Sequence, residues 1–197
     1  MNFLAHIFLS FGDKEITIGN FIADSIRANK FQHLPTKVQK GIKLHRHIDT
    51  YTDAHSIPKI SSRRLHANYS HYSRVIVDIY YDHFLAKNWS KYSDTPLDIF
   101  VEDFYDLLED NYEILPEGVK RMMPYMISDN WLYNYSKMEG IGNVLNGMNR
   151  RTKNKSKMNF AIIDLEEHYD SFEKEFTDFF EELITFSKHK YISLLNK

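Results

Sequence analysis

Apolar residues recur along the chain at intervals of three and four, with little strict alternation of apolar and polar positions, and this spacing predicts helices throughout. The expected helices lie at 2–10, 16–29, 36–54, 57–67, 71–89, 96–111, 116–127, 130–148 and 159–190. Pro35, Pro58, Pro96 and Pro116 sit near proposed starts, where a missing N–H costs least. Only 7 Gly and 5 Pro punctuate the chain, no repeat marks a solenoid and no Pro-, Gly- or Ser-rich linker divides it. The pattern predicts a single all-α domain over 1–197.

Two of the predicted helices carry acids and histidines in line with their apolar positions. In the segment GIKLHRHIDTYTD, the positions Val38, Ile42, His45, Asp49 and Thr52 fall on one helical face, so an apolar stripe turns polar partway along. In VIVDIYYDHFLAKNW, the positions Val75, Asp78, Asp82, Leu85 and Trp89 do the same, and His83 adjoins them. Buried carboxylates need hydrogen-bond donors or a cation, and one divalent ion serves several acids together. Spacing of four lets His45 face one point with Asp49, and Asp78 with Asp82. The alternative for each residue alone is a hydrogen-bonded core histidine, a helix cap or an ion-pair partner.

Composition narrows the chemistry. The chain of 197 residues contains no Cys, so thiolate ligands, thiol nucleophiles and disulfides are excluded, and any metal must take N and O ligands. Mixed imidazole and carboxylate ligands suit Mn, Fe, Zn, Mg or Co. With 25 Lys+Arg against 27 Asp+Glu the formal charge is -2, which gives no global case for a nucleic-acid or anionic-membrane partner. The charge is unevenly placed. RRTKNKSK, from Arg150 to Lys157, carries five cations in eight residues, whereas the last helix is acidic, and that acidic face is expected to be solvated.

The opening MNFLAHIFLSF lacks a basic leader and a small-residue cleavage site and carries His6 in its middle, so it is expected to be a buried helix rather than a signal segment. No run approaches the roughly 20 apolar residues of a membrane span, and a soluble, cytoplasmic protein is expected. Neither a GxSxG elbow nor a GxxxxGK[ST] phosphate loop is present.

MNFLAH, GNFIAD ending at Asp24, GIKLHRHID followed by Thr52 and Asp53, VDIYYDHFLAKNW, FVEDFYDLL, VLNGMNRR and DLEEHYD occur in that order. Together they span nearly the whole chain and resemble the acyl carrier protein phosphodiesterase family, a divergent relative of the HD-type metal phosphohydrolases. The resemblance implies an HD-like helical core with additional C-terminal helices. It also implies hydrolysis of the phosphodiester joining 4′-phosphopantetheine to a serine of acyl carrier protein, with Mn2+ as cofactor. The candidate metal ligands it carries over are His6, Asp24, His45, Asp49 and Asp82; Asp53, Asp78 and His83 are candidates to orient water or protonate the departing serine oxygen. His47 falls at a variable position of the motif and is not carried over. The adjacent His-Asp dyad of the wider HD group is absent; Asp82-His83 has the reverse order.

Arg46, next to His45, is a candidate for neutralising a phosphate oxygen, with a surface ion pair as the alternative. Carrier proteins are generally acidic, which makes Arg63-Arg64 and the segment from Arg150 and Arg151 to Lys157 candidates for docking. Two other functions share parts of this pattern: an HD-like phosphohydrolase of nucleotides or another small phosphoester, and a helical binding module whose His/Asp set is structural.

Overall fold

The computed structural model describes residues 2–27 and 30–196, and every regular element among them is helical. In chain order the helices are α1 (Phe3–Phe8), α2 (Lys14–Ile22), α3 (Thr36–Ala54), α4 (Ser56–Tyr69), α5 (Ser73–Lys87) and α6 (Leu97–Asp110). They continue as α7 (Glu117–Ser128), α8 (Trp131–Asn134), α9 (Met138–Arg151), α10 (Ala161–Glu167) and α11 (Tyr169–Leu195), with short 3-10 turns between several of them. Among the described residues no helix is long and apolar enough to cross a membrane.

Pro35, Pro96 and Pro116 each stand immediately before a helix, and Pro58 lies in the first turn of α4, where its missing N–H has no intrahelical partner to lose. The expected helix at 36–54 has the bounds of α3. The expected helix at 16–29 is shorter: α2 stops at Ile22, a 3-10 turn follows over Ala23–Ser25, and positions 28 and 29 lie outside the described residues.

Two expected helices are each broken in two. The stretch 130–148 starts from Asn130 at φ 45, runs one turn as α8, turns through an extended Lys137 and restarts as α9. The restart packs against the chain it has just left: a Cβ at Gly140 would lie 2.0 Å from Asn134 O, so only glycine fits there. The stretch 159–190 breaks at His168 and then continues to Leu195.

Helix α5 is buried on nearly every side, from Ile76 to Ala86, as befits a central helix. Helix α11 lies along α3, α4 and α5, and Phe172, Phe176, Phe179, Phe180 and Leu183 form its buried stripe. Its acidic face is largely solvated, as expected, with Glu173 and Glu175 half-buried. Glu175 takes a hydrogen bond from Arg64 (2.9 Å), Glu173 one from Asn88 (2.7 Å), and Glu182 lies 3.3 Å from His55 Nε2, so these acids fasten α11 to α3, α4 and α5.

Helices α2 and α3 meet backbone to backbone. A Cβ on Gly19 would lie 2.0 Å from Val38 O, and one on Gly41 would lie 2.2 Å from Ile16 O. This contact sets the position of Asn20 and His45, which face each other across it.

Candidate metal centre

Helix α1 has no side-chain cap of its own. The carboxylate of Asp82, fully buried on α5, supplies one: Leu4 N–H donates to Oδ2 (2.7 Å) and Ala5 N–H to Oδ1 (3.2 Å). A carboxylate is favoured at a helix N-terminus, where the first N–H groups have no intrahelical acceptor. Burial raises the Asp82 carboxyl to about 7, with the two N–H bonds pulling the other way. Its role in the fold is to pin α1 to α5, which aims His6, near the end of α1, toward α3.

There His6 meets His45. The two imidazoles stack at 3.9 Å between centroids and 17° between planes, and both direct Nε2 at Asp49, one turn beyond His45 on α3. His6 Nε2 lies 3.2 Å from Oδ1 and His45 Nε2 lies 3.0 Å from Oδ2. The ligand atoms of these three residues lie within 4.8 Å of one another. Asp24, in the 3-10 turn after α2, reaches His45 Nε2 from the rim (3.1 Å) with a side chain 75% exposed.

The tautomers follow from Asn20. Its amide nitrogen donates to the His6 carbonyl (2.7 Å) and to Ser10 Oγ (3.0 Å), so the atom facing His6 Nδ1 at 2.8 Å is the amide oxygen, an acceptor. His6 Nδ1 therefore carries a proton. His45 Nδ1 faces the backbone carbonyl of the same Asn20 (2.8 Å) and must donate as well. Hydrogen bonds from the far nitrogens to carbonyl groups are what orient metal-binding histidines and turn their near nitrogens toward the ion.

The near side is where the charges are unresolved. His6 is held neutral, lowered to about 4 by burial and then by the adjacent His45. Its bare Nε2 is buried and makes no well-formed hydrogen bond among the described residues, although a carboxylate oxygen stands 3.2 Å away. A lone pair facing an anion at that separation calls for a cation between them. The donor set of two imidazole nitrogens and carboxylate oxygen fits a divalent metal. Asp49 suits the same role: burial would raise its carboxyl, but the hydrogen bond from His45 prevails and holds it well below the usual range. The hydrogen bond from His45 likewise lowers Asp24.

Asn20 makes three of these contacts with its side-chain amide and one with its backbone carbonyl, and sequence reasoning did not single it out. Its signal was an amide following Gly19 in the otherwise apolar run of α2. Asn20→Ala is expected to lower cation affinity about 10- to 100-fold, the usual effect of losing an outer partner of a ligating histidine. Calorimetric titration with Mn2+ measures it; unchanged affinity would show that the histidines are oriented by something else.

The other candidates lie elsewhere. Asp53 falls one turn beyond Asp49 on α3, pairs with Arg74 (3.5 Å), and shares a small recess with Thr52 and Asp78. Burial raises the Asp78 carboxyl. His83 is not brought to the triad. Its Nδ1 donates to the Tyr135 carbonyl (2.7 Å), and its Nε2 lies 2.8 Å from the Tyr169 hydroxyl, tying α5 to the chain after α8 and to α11. Arg46 stacks on Phe31, 5.0 Å from the ring centre. Arg150 and Arg151 are exposed at the end of α9, where Arg151 lies against the sulfurs of Met148 and Met122 (3.8 and 3.9 Å).

A model of the family described as acyl carrier protein phosphodiesterase matches residues 1–183. The acyl carrier protein phosphodiesterase of Escherichia coli is 34% identical over 196 residues, covering 96% of this chain and 99% of its own. That of Photorhabdus laumondii is 32% identical over 96% of each chain, and that of Pectobacterium atrosepticum 30% identical over 95% of this chain and 98% of its own. No solved structure matches. A match of this extent, along the full length of proteins that share one name, means that the chain belongs to the acyl carrier protein phosphodiesterase family.

Proposed function

We propose that the chain hydrolyses the phosphodiester linking 4′-phosphopantetheine to a serine of acyl carrier protein, releasing the apo-protein, and that it uses a divalent cation held by His6, His45 and Asp49. The carrying observation is the bare, buried Nε2 of His6 facing a carboxylate across 3.2 Å. Mn2+ is the first choice of cation, with Mg2+, Fe2+, Co2+ and Zn2+ compatible with the same ligands. Such an ion activates water and draws charge from phosphorus, so no protein nucleophile is required.

The chain's own groups divide the remaining work. Asp24, exposed at the rim and 3.1 Å from His45 Nε2, would serve as a further ligand. Asp78 is the proposed general acid for the departing serine oxygen, because burial keeps its carboxyl protonated to higher pH than an exposed aspartate. Asp53, beside it and paired with Arg74, is the proposed residue for orienting water. Arg46 is proposed to meet a phosphate oxygen. Asp82 and His83, with their polar atoms engaged by backbone groups and Tyr169, are proposed to act through position rather than contact. An HD-like core and a cytoplasmic setting belong to the same reading.

The test is mass spectrometry of holo-acyl carrier protein incubated with the purified protein and Mn2+. Conversion to the apo mass is expected. An intact holo mass after incubation with folded, metal-loaded protein overturns the reading.

A further inference from the structure

The cationic pair Arg63-Arg64 divides in the structure. Arg64 turns inward, donating to Glu175 (2.9 Å) and stacking 4.6 Å from the centre of Phe172. Arg63 is exposed and has no ion-pair partner among the described residues. It lines a groove of about 540 Å³ between α4 and the start of α5, together with Lys59, His66, His71 and Arg74. Serines complete the wall, and none of the described residues lining the groove is acidic.

Several features give this groove a defined shape and sign. Ser70, in its wall, joins α4 to α5 at φ 50, a conformation that non-glycine residues seldom take and that surrounding structure must hold. Ser73 and Arg74 open the 15-residue α5, so the partly positive end of that helix adds to the cations. The chain's formal charge is -2, which makes this a local excess rather than a consequence of overall charge.

The groove also adjoins the C-terminal end of α3, the helix that carries His45 and Asp49. Lys59, Ser62 and Arg74 line both the groove and the recess that holds Thr52, Asp53 and Asp78. Thr52 Oγ1 in that recess is buried and has no hydrogen-bond partner among the described residues. Asp53 is four residues of α3, about 6 Å of rise, beyond Asp49. Lys59, Arg63 and His66 follow one another at intervals of four and three residues, so they line one face of α4 instead of converging on a single point. That layout suits carboxylates repeated once per turn along a helix better than it suits one phosphate.

We propose that this groove docks the protein substrate, receiving an acidic helical face of the carrier protein while its phosphodiester reaches the triad. The proposal rests on the reading that the substrate is a carrier protein, and it is tested apart from catalysis with the apo-carrier protein, which has no phosphodiester for the triad to hold. Fluorescence anisotropy of labelled apo-carrier protein is expected to show saturable binding that Arg63→Glu weakens at least about tenfold and that added salt weakens in the wild type. Arg121→Glu, the same charge change on α7, is expected to leave the affinity as it was. His66→Glu, further along the same face of α4, serves if Arg63→Glu does not fold. Absence of binding by the wild type, equal affinity in the α4 variant, or weakening confined to Arg150→Glu and Arg151→Glu would overturn the proposal. Release of phosphopantetheine from the holo-protein is scored separately: turnover with an unaffected α4 variant sinks the groove alone, and apo-protein binding without turnover sinks the activity alone.

Discussion

Asp49→Ala is expected to abolish cation uptake and phosphodiester turnover while leaving the helical fold in place. Among the described residues Asp49 alone faces both imidazoles, one with each oxygen, at 3.2 and 3.0 Å. Its side chain is 40% exposed, so truncation opens toward solvent and leaves no sealed cavity. Losing a direct ligand should cost more than the roughly 10- to 100-fold in affinity typical of an outer partner. Turnover should fall by about 10³-fold or more, since the cation supplies the activated water. Metal analysis after desalting, circular dichroism and the holo-protein mass assay read these three quantities. An Asp49→Ala protein that keeps its cation and its rate would remove the triad from the site.

The same cluster sets a pH dependence. Burial alone would lower His45, but its hydrogen bonds to Asp24 and Asp49 prevail and raise it to about 9. The metal-free protein therefore carries imidazolium at pH 7. The stability from that pairing is fully present below the unfolded value of about 6.5 and is lost as pH rises through about 9. A cation needs the same nitrogen bare, so uptake at pH 7 displaces a proton, and affinity should climb about tenfold per pH unit toward pH 9. Proton release into a weakly buffered, dye-containing solution during Mn2+ titration checks this. Affinity independent of pH between about 6.5 and 9 would contradict it.

The sequence shows α3 with the bounds the structure gives it because both ends are local: Pro35 precedes the first turn and His55 leaves it in an extended conformation. The break between α8 and α9 depends instead on a tertiary contact, the approach of Gly140 to Asn134, which no spacing of apolar residues records. His45 and Asp49 stand out as polar interruptions of an apolar stripe. Asp82 interrupts a stripe in the same way, yet its oxygens are met by the N–H groups of α1, 77 and 78 positions away in the chain. A sequence marks a buried carboxylate that needs a partner; whether that partner is a cation or a helix end is decided only when distant elements meet. Asn20 shows the converse, because an amide carries no charge to signal its burial.

Gly41→Ala is expected to damage the fold and the site through one contact. The added carbon would stand 2.2 Å from Ile16 O and 2.9 Å from Asn20 N, both backbone atoms of a packed helix that cannot swing aside as a side chain end would. Helices α2 and α3 must part, and overpacking of this kind costs about 1–3 kcal/mol or more, a large share of the roughly 5–15 kcal/mol that holds a domain folded. At this chain length that corresponds to a fall in Tm of about 2–4 °C for each kcal/mol. Separation also draws Asn20 away from His45, whose Nδ1 depends on the Asn20 carbonyl at 2.8 Å, and shifts the amide that orients His6. The protein that remains folded should therefore bind Mn2+ about 10- to 100-fold more weakly. Gly142→Ala is the matched control: it lies within α9 with no atom inside 4 Å of the added carbon, and alanine there should hold or raise Tm by favouring the helix. Equal Tm and equal Mn2+ affinity in Gly41→Ala and the wild type would mean that α2 and α3 do not meet as closely as the site requires.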